Sequence, residues 1–269
     1  MMNIRKPVVA GQFYPGTKKE LKSTLSGFIN KDKKKEKLLG AVSPHAGYVY
    51  SGGVAGKVFS RLKPKPLYVI IGPNHTGIGR PFSVFPRGKW GTPLGDAEVD
   101  EELAKYLVGG SSLFRPDETA HAYEHSIEVL LPFLQYIADD FKILPLCVAG
   151  TNMNDLKKAG NEIFAAISAL KKDAVIIASS DMTHYESQHN AKTKDMRAIS
   201  AITKMDEDDL LKTVVEMDIS MCGVAPVVIA MVTSKAMGAT KAELIDYKTS
   251  GEVSGDYDSV VGYGGLIIK

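Results

Sequence analysis

Cysteine is scarce: Cys147 and Cys222 are the two in 269 residues. Two thiols do not make a disulfide framework, so the chain reads as a protein of a reducing compartment, the cytoplasm. No apolar run approaches the roughly 18 residues that a membrane-spanning helix needs. The opening MMNIRKPVVAGQFYP has no apolar core of a secretory signal. An excess of one charge is also missing. Against 33 Lys and Arg stand 31 Asp and Glu, a net charge of +2. Neither nucleic acid nor an anionic membrane surface is indicated as a partner. The one concentration of charge, Lys31 to Lys37 (KDKKKEK), reads as a solvated loop rather than an anion patch. GxGxxG, GxxxxGK[ST], CxxC and GxSxG are absent, which removes the fingerprints of dinucleotide, P-loop, zinc-finger and α/β-hydrolase sites.

What is present is an alternation of short apolar runs with helical patterns. Leu38–Val42, Leu67–Ile71, Lys142–Val148 and Ala174–Ala178 are continuous apolar runs, the mark of strands buried on both faces. Helical spacing follows over Thr17–Ile29, from Gly52 onward, and over Asp100–Leu107, Asn154–Leu170, Asp195–Lys204, Glu207–Met217 and Val227–Met237. Phe82–Gly95 reads as a β excursion, and Ala242–Lys248 and Ser259–Ile268 as closing strands. The alternation predicts an α/β fold over residues 1–269: one domain, a central mostly parallel or mixed sheet, and helices on both faces.

Three of the six histidines stand in equivalent places. His45, His75 and His184 each follow an apolar strand, in the turns SPHAG, GPNHTG and SSDMTH. Parallel strands of one sheet end on one edge, so these side chains should converge where open α/β sheets carry their sites. Imidazoles meeting a carboxylate or thiolate make a transition-metal site. Cys222, just ahead of a helix start at Gly223, is a thiolate candidate, although a buried inert cysteine is the simpler local reading. His125 is expected at the start of a helix; either Ser126 or Asp117 caps nearby backbone with His125 as polar filler, or Glu124 and His125 point into the site. His121 and His189 lack a strand context and are expected at the surface. Cys147, inside a strand, is expected in the core.

The motifs KPVVAGQFYP, SPHAGYVYSG, GPNH, WGTPLG, EHSIEVLLPFLQY, SSDMTH, CGVAP and SGDYDSVVGYGG occur in the order seen in the Memo (mediator of ErbB2-driven cell motility) family. The resemblance spans nearly the whole chain, and a prokaryotic, archaeal member fits its short inter-motif segments. It implies a fold similar to the LigB-type class III extradiol dioxygenases. It implies His45, His75 and Cys222 as metal ligands, Asp181 and His184 as the proton-handling side of the pocket, and Glu124 and His125 as pocket lining. Iron(II) or copper is the implied metal, with zinc possible. Cys222 stands where ring-cleaving relatives carry a carboxylate, which argues against ring cleavage and for a softer metal site. A metal-dependent redox protein is the first expectation. A peptide- or protein-binding module is the second, since animal members are associated with phosphotyrosine peptides. An unidentified small molecule, and AMMECR1-like or radical-SAM proteins, are the partners the family suggests.

Overall fold

A computed structural model describes residues 4–269; residues 1–3 of the opening lie outside it. The four apolar runs are the centre of one sheet. Strands β1 (Gly40–Ser43), β2 (Leu67–Pro73), β3 (Lys142–Val148) and β4 (Ala174–Ser179) lie parallel in the order β3-β2-β4-β1. Successive side chains enter opposite cores. Ala41, Tyr68, Ile70, Ile143, Val175 and Ile177 face one side, and Val42, Val69, Ile71, Leu144, Ile176 and Ala178 face the other. Both faces are covered, so the strands carry no polar alternation.

The C-terminal strands make the sheet mixed. β5 (His184–Glu186) and β6 (Ala242–Thr249) both pair antiparallel with β7 (Val260–Ile268), and β7 pairs antiparallel with β1. The predicted excursion forms Phe82–Val84, Lys89–Thr92 and Gly95–Val99, which extend the sheet beyond β3, with Ile4–Arg5 added at its outer edge.

Helix α1 (Lys18–Phe28) starts where the Thr17 hydroxyl accepts from the Glu20 N–H, and it buries Leu21 and Leu25. Helix α2 (Tyr48–Arg61) begins a turn before the glycines that were expected to start it. Gly52 and Gly56 lie inside the helix because Phe28 crosses them. A Cβ on Gly52 would sit 2.4 Å from the Phe28 ring, and one on Gly56 would sit 2.5 Å from the Phe28 carbonyl oxygen. Helix α3 (Gln188–Thr203) starts well ahead of the predicted Asp195, at the Ser187 cap. Helix α4 (Val224–Ala236) is apolar nearly all round and correspondingly buried between the sheet and the helix Met153–Ala169.

Two local expectations need correction. His121, expected at the surface, is fully buried. Its segment forms a short turn, Thr119–His121, whose imidazole packs edge-on against Phe85 and Trp90. The His121 carbonyl accepts from Arg5 Nε at 2.7 Å. His125, expected at the start of a helix, lies in a loop. A 3-10 turn, Glu128–Leu130, precedes the helix Leu131–Ile137.

Candidate metal centre

The C-terminal ends of three parallel strands deliver the site. β1 runs into Pro44-His45, β2 into Asn74-His75, and β4 into Ser180-Asp181. The His45 and His75 ring centroids are 5.1 Å apart. His125 joins them from the loop before Glu128, 4.7 Å from His75 and 5.5 Å from His45. One ring nitrogen from each of His45, His75 and His125 lies within 4.8 Å of the others, the spacing of a group able to hold an ion. Cys222 Sγ reaches His45 Nε2 at 3.5 Å.

Hydrogen bonds fix which ring nitrogen His45, His75 and His184 present. The Ser179 hydroxyl donates to the Ser126 carbonyl at 2.7 Å, so Ser179 Oγ can only accept from His45 Nδ1, also 2.7 Å away. His75 Nδ1 donates to Glu124 Oε1 at 2.9 Å. His184 Nδ1 donates to the Ser220 carbonyl at 2.9 Å. The network therefore assigns an Nδ1–H tautomer and a bare Nε2 to all three rings. A partner on the outer nitrogen that aims the inner lone pair is how proteins prepare imidazole for a metal. By this test the residues fit an ion.

Glu124 is fully buried and anchors the imidazoles. Its carboxylate accepts from the His75 N–H, His75 Nδ1 and the Ser126 N–H, and lies 3.6 Å from His125 Nδ1. Burial alone would raise its pKa; the His75 hydrogen bond and charge, with the backbone donors, outweigh burial and bring it down to about 2. Burial pulls His75 down, but the Glu124 carboxylate lifts it above its ordinary value. His45 is pushed well below the usual range by burial and by the like charges of His75 and His125, so it stays neutral. His125 is lowered by burial in the same way.

Two glycines make the site's approaches possible. A Cβ on Gly223 would lie 2.3 Å from the Ser179 carbonyl, so only glycine lets Cys222 seat against the strand ends. A Cβ on Gly72 would lie 2.3 Å from Ser126 Oγ, where the Glu124-His125-Ser126 loop crosses β2. Cys222 directly precedes the cap of α4, as its sequence context indicates. Burial and the Asp181 charge raise its thiol pKa. A cation at His45 Nε2 would reverse that balance, since coordinating thiols lose their proton.

Asp181 and His184 lie close enough to interact electrostatically, but each is held by a different partner. The Asp181 carboxylate is buried and accepts from the His45 N–H at 2.8 Å, which fixes the loop that carries His45. Its pKa is raised by burial, and the His45 N–H hydrogen bond, followed by the neighbouring histidines, partly offsets the rise. Ser220 holds His184 instead, accepting from its N–H through Oγ and from its ring through the carbonyl. Ser126, Ser179 and Ser220 were therefore missed as orienting groups. A serine at a strand end carries no local signal for that role. Phe13, which packs edge-on to His125 at 4.9 Å, was missed because it arrives from the N-terminal loop.

An α/β sheet with imidazoles, a thiol and a carboxylate at its strand ends defines a class of proteins with a candidate mononuclear metal site. The family model described as "Memo-like protein" matches residues 5–267. A "MEMO1 family protein" of Methanosarcina mazei is 45% identical over the full length of both chains. One from Aquifex aeolicus is 43% identical, covering 99% of each. This chain belongs to the Memo-like family. The crystal structure of an uncharacterized Escherichia coli K12 protein, JW3007, superposes with a TM-score of 0.57 at 12% identity, covering 86% of this chain and all of that one. That likeness establishes the shared α/β fold.

Proposed function

We propose that the protein is a mononuclear metal-dependent redox protein. His45, His75 and Cys222 hold one iron or copper ion, and His125 lies beside the ion or completes its coordination. The observation that supports this most is that hydrogen bonds occupy Nδ1 of His45 and of His75 and leave each a bare Nε2, with the Cys222 sulfur 3.5 Å from that of His45. Two imidazoles and one thiolate favour iron, copper or zinc over hard, oxygen-preferring cations. A bound iron or copper ion would supply one-electron and oxygen chemistry. The protein's own part is to hold the ligands in one tautomer, bury His45, Glu124 and Asp181, and hold a proton acceptor at His184 Nε2. Asp181 fixes the His45 loop and adds negative charge.

Elemental analysis tests this reading. His184→Ala keeps the metal and loses metal-dependent oxygen consumption with a reductant. If His184→Ala loses the metal instead, His184 is a ligand and its proton role is overturned.

A second reading is favoured by one observation. Tyr185 and Tyr123 flank His184 and Glu124 in sequence and are 79% and 73% exposed, a rim suited to a peptide or protein partner. Retention of a partner on the metal-loaded protein, with no metal-dependent oxygen uptake, would favour a binding module. Retention of zinc alone after anaerobic purification would favour a zinc-activated water and hydrolysis.

A further inference from the structure

We propose that Asp195 is the positioning residue of His184, acting through Thr183, and that the closing glycine-rich strand is shaped to admit it. The inference rests on the reading of His184 as the proton-handling group. Asp195 lies mid-way along α3, is fully buried, and touches none of the proposed metal ligands. Its Oδ1 accepts from both the N–H and the hydroxyl of Thr183, at 2.9 and 2.6 Å. Its Oδ2 accepts from the Tyr247 hydroxyl of β6 at 2.7 Å. A buried carboxylate needs such donors, and two of these three come from the residue next to His184.

The other side of the same loop is stitched to β7. The Met182 N–H donates to the Gly262 carbonyl, and the Gly262 N–H donates to the Thr183 carbonyl, both at 2.8 Å. A Cβ on Gly262 would lie 1.9 Å from Asp195 Oδ2. No side chain fits at position 262 while Asp195 holds Thr183, which gives the motif SVVGYGG a role that strand pairing alone does not explain.

His184 then lies between two fixed points, Asp195 through Thr183 and Ser220 directly. Immediately beyond it, Tyr185 has φ of 61° and the β5–β7 register slips between His184 and Glu186. A non-glycine residue keeps a left-handed backbone only where its surroundings over-determine it. Asp195 and Ser220 fix the two residues that precede it, Thr183 and His184.

The test is nitrogen NMR of the His184 imidazole in the full-length protein at one fixed pH. Wild type gives one protonated Nδ1 and one bare Nε2. In Asp195→Ala the two signals move toward a common average. Asp195→Asn restores the wild-type pattern, because the amide oxygen can accept from both Thr183 groups. Thr183→Val removes only the hydroxyl and gives an intermediate pattern; it decides the matter alone if Asp195→Ala does not fold. A wild-type His184 pattern in both Asp195→Ala and Thr183→Val overturns the proposal. Equal loss of the His75 pattern also overturns it, since the effect would then be general loosening. The readout does not depend on turnover, so loss of the proton role through His184→Ala leaves this result standing, and the reverse.

Discussion

Glu124 is the residue on which the imidazoles depend. One carboxylate takes the His75 ring proton and two backbone protons and lies beside the His125 ring. Removing its charge while keeping its shape isolates the orienting effect. Glu124→Gln should weaken metal binding by about 10- to 100-fold, the usual cost of disturbing a group that aims a ligand. Competition against a calibrated chelator measures this, and an unchanged affinity would show that the rings are held by packing alone. At this scale the sequence was informative where a histidine directly followed a strand, as at His45 and His75, because topology fixes where strand ends go. For His125 the residues alone left two readings open, and the three serines gave no signal. Their roles depend on a loop crossing β2 and on hydroxyls whose partners are 36 to 134 residues away.

At the scale of elements, the N-terminal segment is tied to the site by one buried ion pair. Arg5 meets Glu128 at 2.7 Å with both side chains almost wholly buried, and it lies 4.1 Å from the centre of the Trp90 ring. Its other donors reach the carbonyls of His121 and Glu124. Glu128 also accepts from the Val8 and Val9 N–H groups and the Tyr14 hydroxyl. Truncating one partner of a buried pair leaves the other charged and unsolvated. Glu128→Ala should therefore cost about 3–5 kcal/mol in urea unfolding, and a loss below about 1 kcal/mol would mean water replaces the carboxylate. The four central strands were legible because their apolar runs are unbroken. Helix starts were less so. Those of α2 and α3 depend on contacts with Phe13 and Phe28 and on a serine cap, none of which leaves a periodic trace.

For the whole molecule, the buried His121 sets a pH limit. Burial first, then the Arg5 charge, lowers its pKa to about 3, and neither ring nitrogen has a hydrogen-bond partner among the described residues. The unfolded chain protonates this ring near the ordinary histidine value of 6.5 while the folded one does not. Between pH 6.5 and 3 the unfolded state thus binds more protons, and stability falls as pH falls; the contribution is fully present above that window. By linkage the loss from this group reaches about 3 kcal/mol at pH 4. His121→Leu should flatten that part of the stability–pH curve in chemical unfolding, and an unchanged slope would show that His121 protonates in the folded protein. The α/β architecture was readable from strand and helix alternation. The burial of His121 was not, because it follows from the β excursion folding over a polar stretch with no apolar pattern of its own.

The central claim is that His45, His75 and Cys222 form one metal site, and metal stoichiometry tests it most directly. The protein should be purified anaerobically, loaded separately with iron(II), copper and zinc, stripped of loose ions and assayed by elemental analysis. Wild type should retain about one ion per chain of the native metal, as expected for a mononuclear site. His45→Ala and Cys222→Ala should each lose most of it, and His184→Ala should not. Full occupancy in both His45→Ala and Cys222→Ala would contradict the account.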